Sequence, residues 1–163
     1  HAIGDRNADG NRIEHNVFYG IDGPGLRFLV STAGQTVEDN LVEHNILWGN
    51  NRSTDFHWTH SGEGYEVVFD TYHTSTNGWP DGGLGGNVIR DNLIGTQDST
   101  RDGGWLYFIG YTRNLEVNLE QAQARWPGIS ANLESDPRFW NPDAGDFRLG
   151  SASPATGLGR FQP

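Results

Sequence analysis

Three copies of one short phrase constrain this chain more than any other feature. They read Asn11-Arg-Ile-Glu-His-Asn16-Val-Phe, Asn40-Leu-Val-Glu-His-Asn45-Ile-Leu and Asn87-Val-Ile-Arg-Asp-Asn92-Leu-Ile. Each holds two asparagines in the same frame, an aliphatic residue between them and another directly after the second. The first two copies begin 29 residues apart and the next two 47 apart, which reads as two shorter periods. A weaker copy, Tyr65-Glu-Val-Val-Phe-Asp70-Thr-Tyr, falls in the wider gap. Recurrence at ~20–50 residues marks stacked repeats, each unable to bury its apolar face alone.

Within each copy the alternation is that of a strand. Arg12 and Glu14 face out while Ile13, Val42, Val67 and Ile89 face in. After the second asparagine the chain turns, and Val17, Ile46 and Leu93 are expected to point inward again. Stacked as parallel strands at ~4.8 Å, equivalent residues lie above one another. Asn16, Asn45 and Asn92 then form a ladder of amides, with Asp70 in the intervening rung. Leu26–Ser31 and Trp105–Gly110 are candidates for further strands, and the glycine-rich stretches 62–64 and 82–86 for corners. Residues 50–64, polar and aromatic, read as a protruding loop.

Composition limits the partners. A chain of 163 residues suits one domain, 1–163. Its 34% hydrophobic content is low for a layered core, but a thin stack with glycine at the corners tolerates it. The formal charge of −10 argues against nucleic acid and anionic membranes as partners. No apolar run approaches the ~20 residues of a membrane span. All 11 basic residues are arginine, and cysteine is absent, so disulfides and thiolate metal sites are excluded. Methionine is also absent and the chain opens on His1, so residues upstream are expected to have been removed. Residues 1–10 do not resemble a helical cap. The expectation is therefore the C-terminal part of a longer protein, or a first coil that an N-terminal chain covers or that self-associates.

The tail differs from the repeats. Asn118-Leu-Glu-Gln121 has the form of a capping box, and Leu119–Trp126 reads as a short helix stopped by Pro127-Gly128. Asp136-Pro-Arg-Phe139, Gly145-Asp-Phe-Arg-Leu149 and Ser153-Pro-Ala155 follow. This run, with the asparagine repeats, resembles the ending of secreted right-handed parallel β-helix proteins of the pectate-lyase-like superfamily. The resemblance covers the three repeats and residues 114–159, a closing segment. It implies an all-β solenoid of about five or six coils with a short C-terminal helix and closing strand. It also implies a secreted or cell-surface protein that acts on or binds a polysaccharide. It does not choose an activity, because that superfamily holds lyases, glycoside hydrolases, adhesins and phage tail proteins.

Several clusters can carry chemistry. Glu14 and Glu43 should share one outward column, followed by Val68 and Arg90. Such a pair repels unless a cation lies between, so it offers a calcium site or acid–base work on a glycosidic bond. The plainer arrangement has both side chains in solvent beside Arg12. His15 and His44 should stack in the same way, with Phe69 and Asp91 beyond them. They serve as base or ligand, or simply as an imidazole ladder at a corner, and the ladder is the favoured reading.

The densest polar cluster runs through Asp55, His57, His60, Glu63, Glu66, Asp70 and His73, with Trp58, Tyr65, Tyr72 and Trp79 among them. Aromatic platforms beside carboxylates and imidazoles suit a sugar. The candidates for catalysis are Glu43, Glu63, Glu66 and Asp70. Those for substrate binding are His57, Trp58, His60, Tyr72, His73 and Trp79. The competing reading is a long loop whose aromatics pack on the solenoid. Lysine is unavailable as a lyase base, although Arg12, Arg27, Arg52 or Arg90 remain. With a charge of −10, a neutral glycan and hydrolysis by paired carboxylates are preferred. No cofactor is called for beyond the calcium already mentioned. The alternatives are a non-catalytic glycan-binding, adhesive or filament-forming module, or a structural cap of a longer enzyme.

Overall fold

The structure, a computed structural model, describes residues 9–29, 36–50, 65–70, 84–95, 106–109 and 114–159. Short strands follow one another in a fixed rotation. The first circuit is β1 (Arg12–Glu14), β2 (Val17–Tyr19) and β3 (Leu26–Leu29). The second is β4 (Leu41–Glu43), β5 (Ile46–Trp48) and β6 (Val67–Asp70). The third is β7 (Val88–Arg90), β8 (Leu93–Gly95) and β9 (Leu106–Ile109). Each strand pairs in parallel with its counterpart in the next circuit, giving the orders β1-β4-β7, β2-β5-β8 and β3-β6-β9. Strands of three or four residues have no stability alone, so the sheets exist only because the circuits stack.

Beyond β9 the pattern changes. β10 (Asn114–Val117) turns back antiparallel against β9, and α1 (Leu119–Arg125) follows. β11 (Ile129–Ser130) then joins β7 in parallel, and a single bridge ties Leu133 to Leu93. β12 (Phe139–Asn141) and β13 (Asp146–Leu149) form an antiparallel hairpin around a 3-10 turn at Pro142–Ala144. Among the described residues the regular structure is thus mostly strand, with parallel sheets and one short α-helix. Among the described residues there are three circuits and the start of a fourth, fewer than the five or six expected.

The repeated phrase maps onto the corner between the first two sheets. His15, His44, Asp91 and Ala131 all sit at φ 53–55°, each directly before a ladder asparagine. A single left-handed residue turns the chain from one strand into the next, and Asp and His tolerate that conformation better than branched residues. The register then places Ile13, Val42, Ile89 and Ile129 in one column. With Leu47, Ile94, Leu26, Val67 and the stacked rings of Phe28 and Phe69, 4.9 Å apart, they fill the interior.

Three expectations need correction. β4 pairs directly with β7, so the segment around Val67 is not an intervening rung. It belongs to the third sheet, between β3 and β9, and Asp70 lies opposite Leu29 and Ile109, outside the asparagine ladder. The outward column after Glu43 is accordingly Arg90, without Val68, and that after His44 is Asp91, without Phe69.

The second correction concerns Val17, Ile46 and Leu93, which do not face the interior. In β2, β5 and β8 the interior residues are Phe18, Leu47 and Ile94. Val17, Ile46 and Leu93 point the other way and pack with Phe139, Leu149, Ala155 and Leu158 from the tail, Ile46 and Leu93 buried and Val17 half-buried. Gly159 N–H donates to the carbonyl of His44 at 2.8 Å.

The third correction follows: the closing segment splits into two covers. The tail lies along the outside of the second sheet, while α1 closes the end of the stack. Leu119, Ala122 and Trp126 seat that helix on the core. Asn118 caps it by accepting from the N–H of Gln121, whose side chain accepts from the Asn118 N–H in return.

Candidate functional site

The asparagines make directional ladders. The backbone N–H and the side-chain amide of Asn16 both donate to Asn45 Oδ1, at 2.9 and 3.1 Å. Asn45 donates in the same way to Asn92 Oδ1, and Asn92 to Asn132 Oδ1. A parallel ladder runs from Asn11 through Asn40 to Asn87. Beyond the first rung of that ladder, Nδ2 groups also meet carbonyls of their own or the preceding circuit, as Asn45 meets Glu43 and Ile13. At the inner rungs Asn45 and Asn92, which are fully buried, the backbone N–H, Oδ1 and Nδ2 are all used. At the far end Asn132 N–H donates to Gln123 Oε1 of α1 at 2.9 Å, so the helix supplies the terminal acceptor. Asn132 and Gln123 were not singled out in the sequence. The Asn-Leu pair at 132–133 is the faint trace of a fourth copy.

A third corner is built from Asn50 and Glu66. Asn50 Oδ1 accepts from Ile21 N–H at 3.0 Å, and Asn50 N–H donates to Glu66 Oε1 at 3.0 Å. The Asn50 amide donates to Glu66 Oε2 and to the carbonyl of Phe18. Glu66 takes the acceptor role that an asparagine fills in the other ladders. It is 0% exposed, and burial pushes its carboxyl up to about 8, while the bonds from Asn50 and Gly49 pull it down. The carboxyl holds the ring at this corner, beyond the reach of a polymeric substrate.

Glu43 stands on the outer face of the first sheet, next to Glu14 in register. Arg90 Nε and Nη2 reach Glu43 Oε2 at 2.8 and 2.7 Å, Arg12 lies 3.6 Å from Oε1, and Arg12 also pairs with Glu14. The hydrogen bond from Arg90 holds the Glu43 carboxyl below the usual carboxylate range, against a smaller opposing effect of desolvation. A carboxylate so held is ionised at neutral pH and is poorly placed to act as a general acid. Two guanidiniums already balance the charge of the glutamate pair, which does not fit calcium. Among the described residues no three His, Asp or Glu side chains converge on a metal site. His15 and His44 do stack, with ring centroids 5.1 Å apart and planes 8° from parallel. This is the corner imidazole ladder, stacked face to face.

The remaining candidates fall in the connections. His57, Trp58, His60 and Glu63 lie outside the described residues, in the stretch joining β5 to β6. Tyr72, His73 and Trp79 also lie outside them, in the stretch joining β6 to β7. For Asp70 the backbone alone is described. The structure therefore brings together Glu43 with Arg90, and Glu66 with Asn50, but not the two glutamates with each other. Among the described residues, no helix is long and apolar enough to cross a membrane. No protein-family model matches this chain, and no curated protein or solved structure matches it either.

Proposed function

We propose that the chain is a unit of a right-handed parallel β-helix of the pectate-lyase-like type, secreted or on the cell surface, that acts on or binds a polysaccharide. What carries the reading is where the circuits widen. The first connects β2 to β3 through residues 20–25, whereas the second connects β5 to β6 through residues 49–66. The return from β6 to β7 is also longer than that from β3 to β4, 71–87 against 30–40. These two insertions border one strand, β6, and carry His57, Trp58, His60, Glu63, Tyr72, His73 and Trp79. Insertions on a rigid scaffold are where such folds place binding and catalysis. The sheet itself is committed to structure: Glu43 is ion-paired and Glu66 is buried. Catalytic candidates are thereby narrowed to Glu63 and Asp70, with hydrolase and lyase chemistry both open.

The test is depolymerisation of a panel of neutral and acidic polysaccharides by the full chain. New reducing ends are followed alongside the ultraviolet absorbance of unsaturated uronates. Hydrolysis raises the first alone, and elimination raises both. Glu63→Gln and Asp70→Asn should abolish the activity, and activity that survives both removes them from the mechanism. Binding without cleavage selects the non-catalytic module. Neither binding nor cleavage of any polymer overturns the polysaccharide reading.

One observation bears on self-association. Head-to-tail stacking needs two open ends, and α1 with Gln123 closes one of them. At the other end β1, β2 and β3 are all edge strands among the described residues, and Asn11 Oδ1 and Asn16 Oδ1 accept from no described residue. The ladder polarity asks for a donor there, and a second copy meeting this edge would bring acceptor to acceptor. The filament-forming alternative is therefore disfavoured.

A further inference from the structure

Trp140 is the most exposed large hydrophobic side chain among the described residues, at 70%. It is not left loose. The Arg148 guanidinium lies over the indole at 5.5 Å from the ring centroid. Arg148 is itself gripped by Asp146, with Nε to Oδ1 at 2.9 Å and Nη2 to Oδ2 at 2.7 Å. That two-pronged pair orients the guanidinium, which covers one face of the ring. The next residue back in β12, Phe139, points the other way and packs edge-on against Tyr19 and Phe147, with centroids 5.8 and 5.3 Å away. The strand carrying Trp140 is thus anchored to the second sheet, and its aromatic ring is held out in solvent.

We infer that Trp140, backed by Arg148 and Asp146, is a glycan-binding platform for a neutral sugar ring, outside the insertions around β6. With one face backed by the guanidinium, the exposed tryptophan presents its other face as a flat apolar surface to a ligand. A pyranose has a face of C–H groups and a rim of hydroxyls. The free side of the indole receives the face. Arg148 Nη1, which bonds to no other described residue, is available to the rim. Asp146 neutralises Arg148 locally, and the whole chain carries −10, so a polyanionic chain gains little here. The inference rests on the polysaccharide reading above and places a non-catalytic contact on the tail hairpin.

The test is affinity electrophoresis of the full chain through gels containing hydroxyethylcellulose, xyloglucan or galactomannan, with polygalacturonate as the anionic control. At least one neutral polymer should retard the wild type. Trp140→Ala should weaken the retardation about tenfold or more, Arg148→Ala should weaken it less, and Trp140→Tyr should restore part of it. The melting temperature of Trp140→Ala should stay at the wild-type value, which separates lost binding from lost folding. Retardation unchanged by Trp140→Ala overturns this inference and leaves the polysaccharide reading intact. Retardation by polygalacturonate alone overturns the neutral-sugar assignment. No retardation by any polymer, with or without Trp140-dependent self-association in sedimentation, overturns the platform. In that last case, cleavage of a polymer in the depolymerisation assay would show that the broader reading survives.

Discussion

Asn92→Ala should be among the most damaging single substitutions in this molecule, although it removes no apolar contact. Asn92 Oδ1 accepts from both the N–H and the amide of Asn45, and its Nδ2 meets Asn132 Oδ1, the Val42 carbonyl and the Arg90 carbonyl. The rung is 0% exposed. Alanine leaves the buried Asn45 N–H without its acceptor and deprives Val42 of a donor. Each buried polar group stranded in this way costs roughly 1–3 kcal/mol, so about 4 kcal/mol is expected in total. The outermost rung provides the control. Asn16 is exposed, and its loss leaves Asn45 Oδ1 still bonded to the Asn16 backbone, so Asn16→Ala should cost about 1 kcal/mol.

Urea denaturation followed by far-ultraviolet circular dichroism measures both variants. For a chain of this length the difference corresponds to roughly 6–12 °C in melting temperature. Asn92→Asp sharpens the argument. A carboxylate still accepts from Asn45, but it places an oxygen against Asn132 Oδ1 and two carbonyls, so it should be at least as harmful as alanine at neutral pH. Equal, small losses for Asn16→Ala and Asn92→Ala, or a harmless Asn92→Asp, would refute the view that directional amide ladders hold the stack.

Two further outcomes can be checked on the same instruments. The Glu66 carboxyl is raised from 4.5 to about 8 in the folded state, so its contribution is full below pH ~4.5 and is lost as pH rises toward 8. Stability should fall across that window, by about 5 kcal/mol at most, and melting curves of Glu66→Gln from pH 5 to 9 should lack that slope. Gly95 lies beneath Trp48, and a Cβ there would stand 2.5 Å from the indole Cζ3. Gly95→Ala should therefore cost about 1–3 kcal/mol by overpacking and shift the tryptophan emission; an unchanged melt and spectrum would contradict the packing of that column.

Legibility varied along the chain for physical reasons. The helix at Leu119–Arg125 was readable because a capping box and a Pro-Gly stop are local signals. The ladder of Asn16, Asn45 and Asn92 was readable because identical residues recur in register. The copy around Val67 misled because an apolar strand has the same alternation in any of the three sheets. Only the pairing with Leu26–Leu29 assigns it to the third. Glu66 looked like a catalytic carboxylate beside histidines and aromatics. Its partner Asn50 lies across the long insertion from it, and no spacing rule connects the two.

By itself the sequence determined that this chain stacks repeated strand–turn–strand units through asparagines, that a capped helix follows them, and that its formal charge is −10. Those are properties of periodicity, end signals and summed charge, which do not depend on how distant segments meet. Tertiary structure alone decided the outward face of Val17, Ile46 and Leu93, the closure of the stack by Gln123, the burial of Glu66, and the exposure of Trp140. Each of these depends on which remote segment covers a given face. A strand has two faces of equal claim until another part of the chain buries one of them.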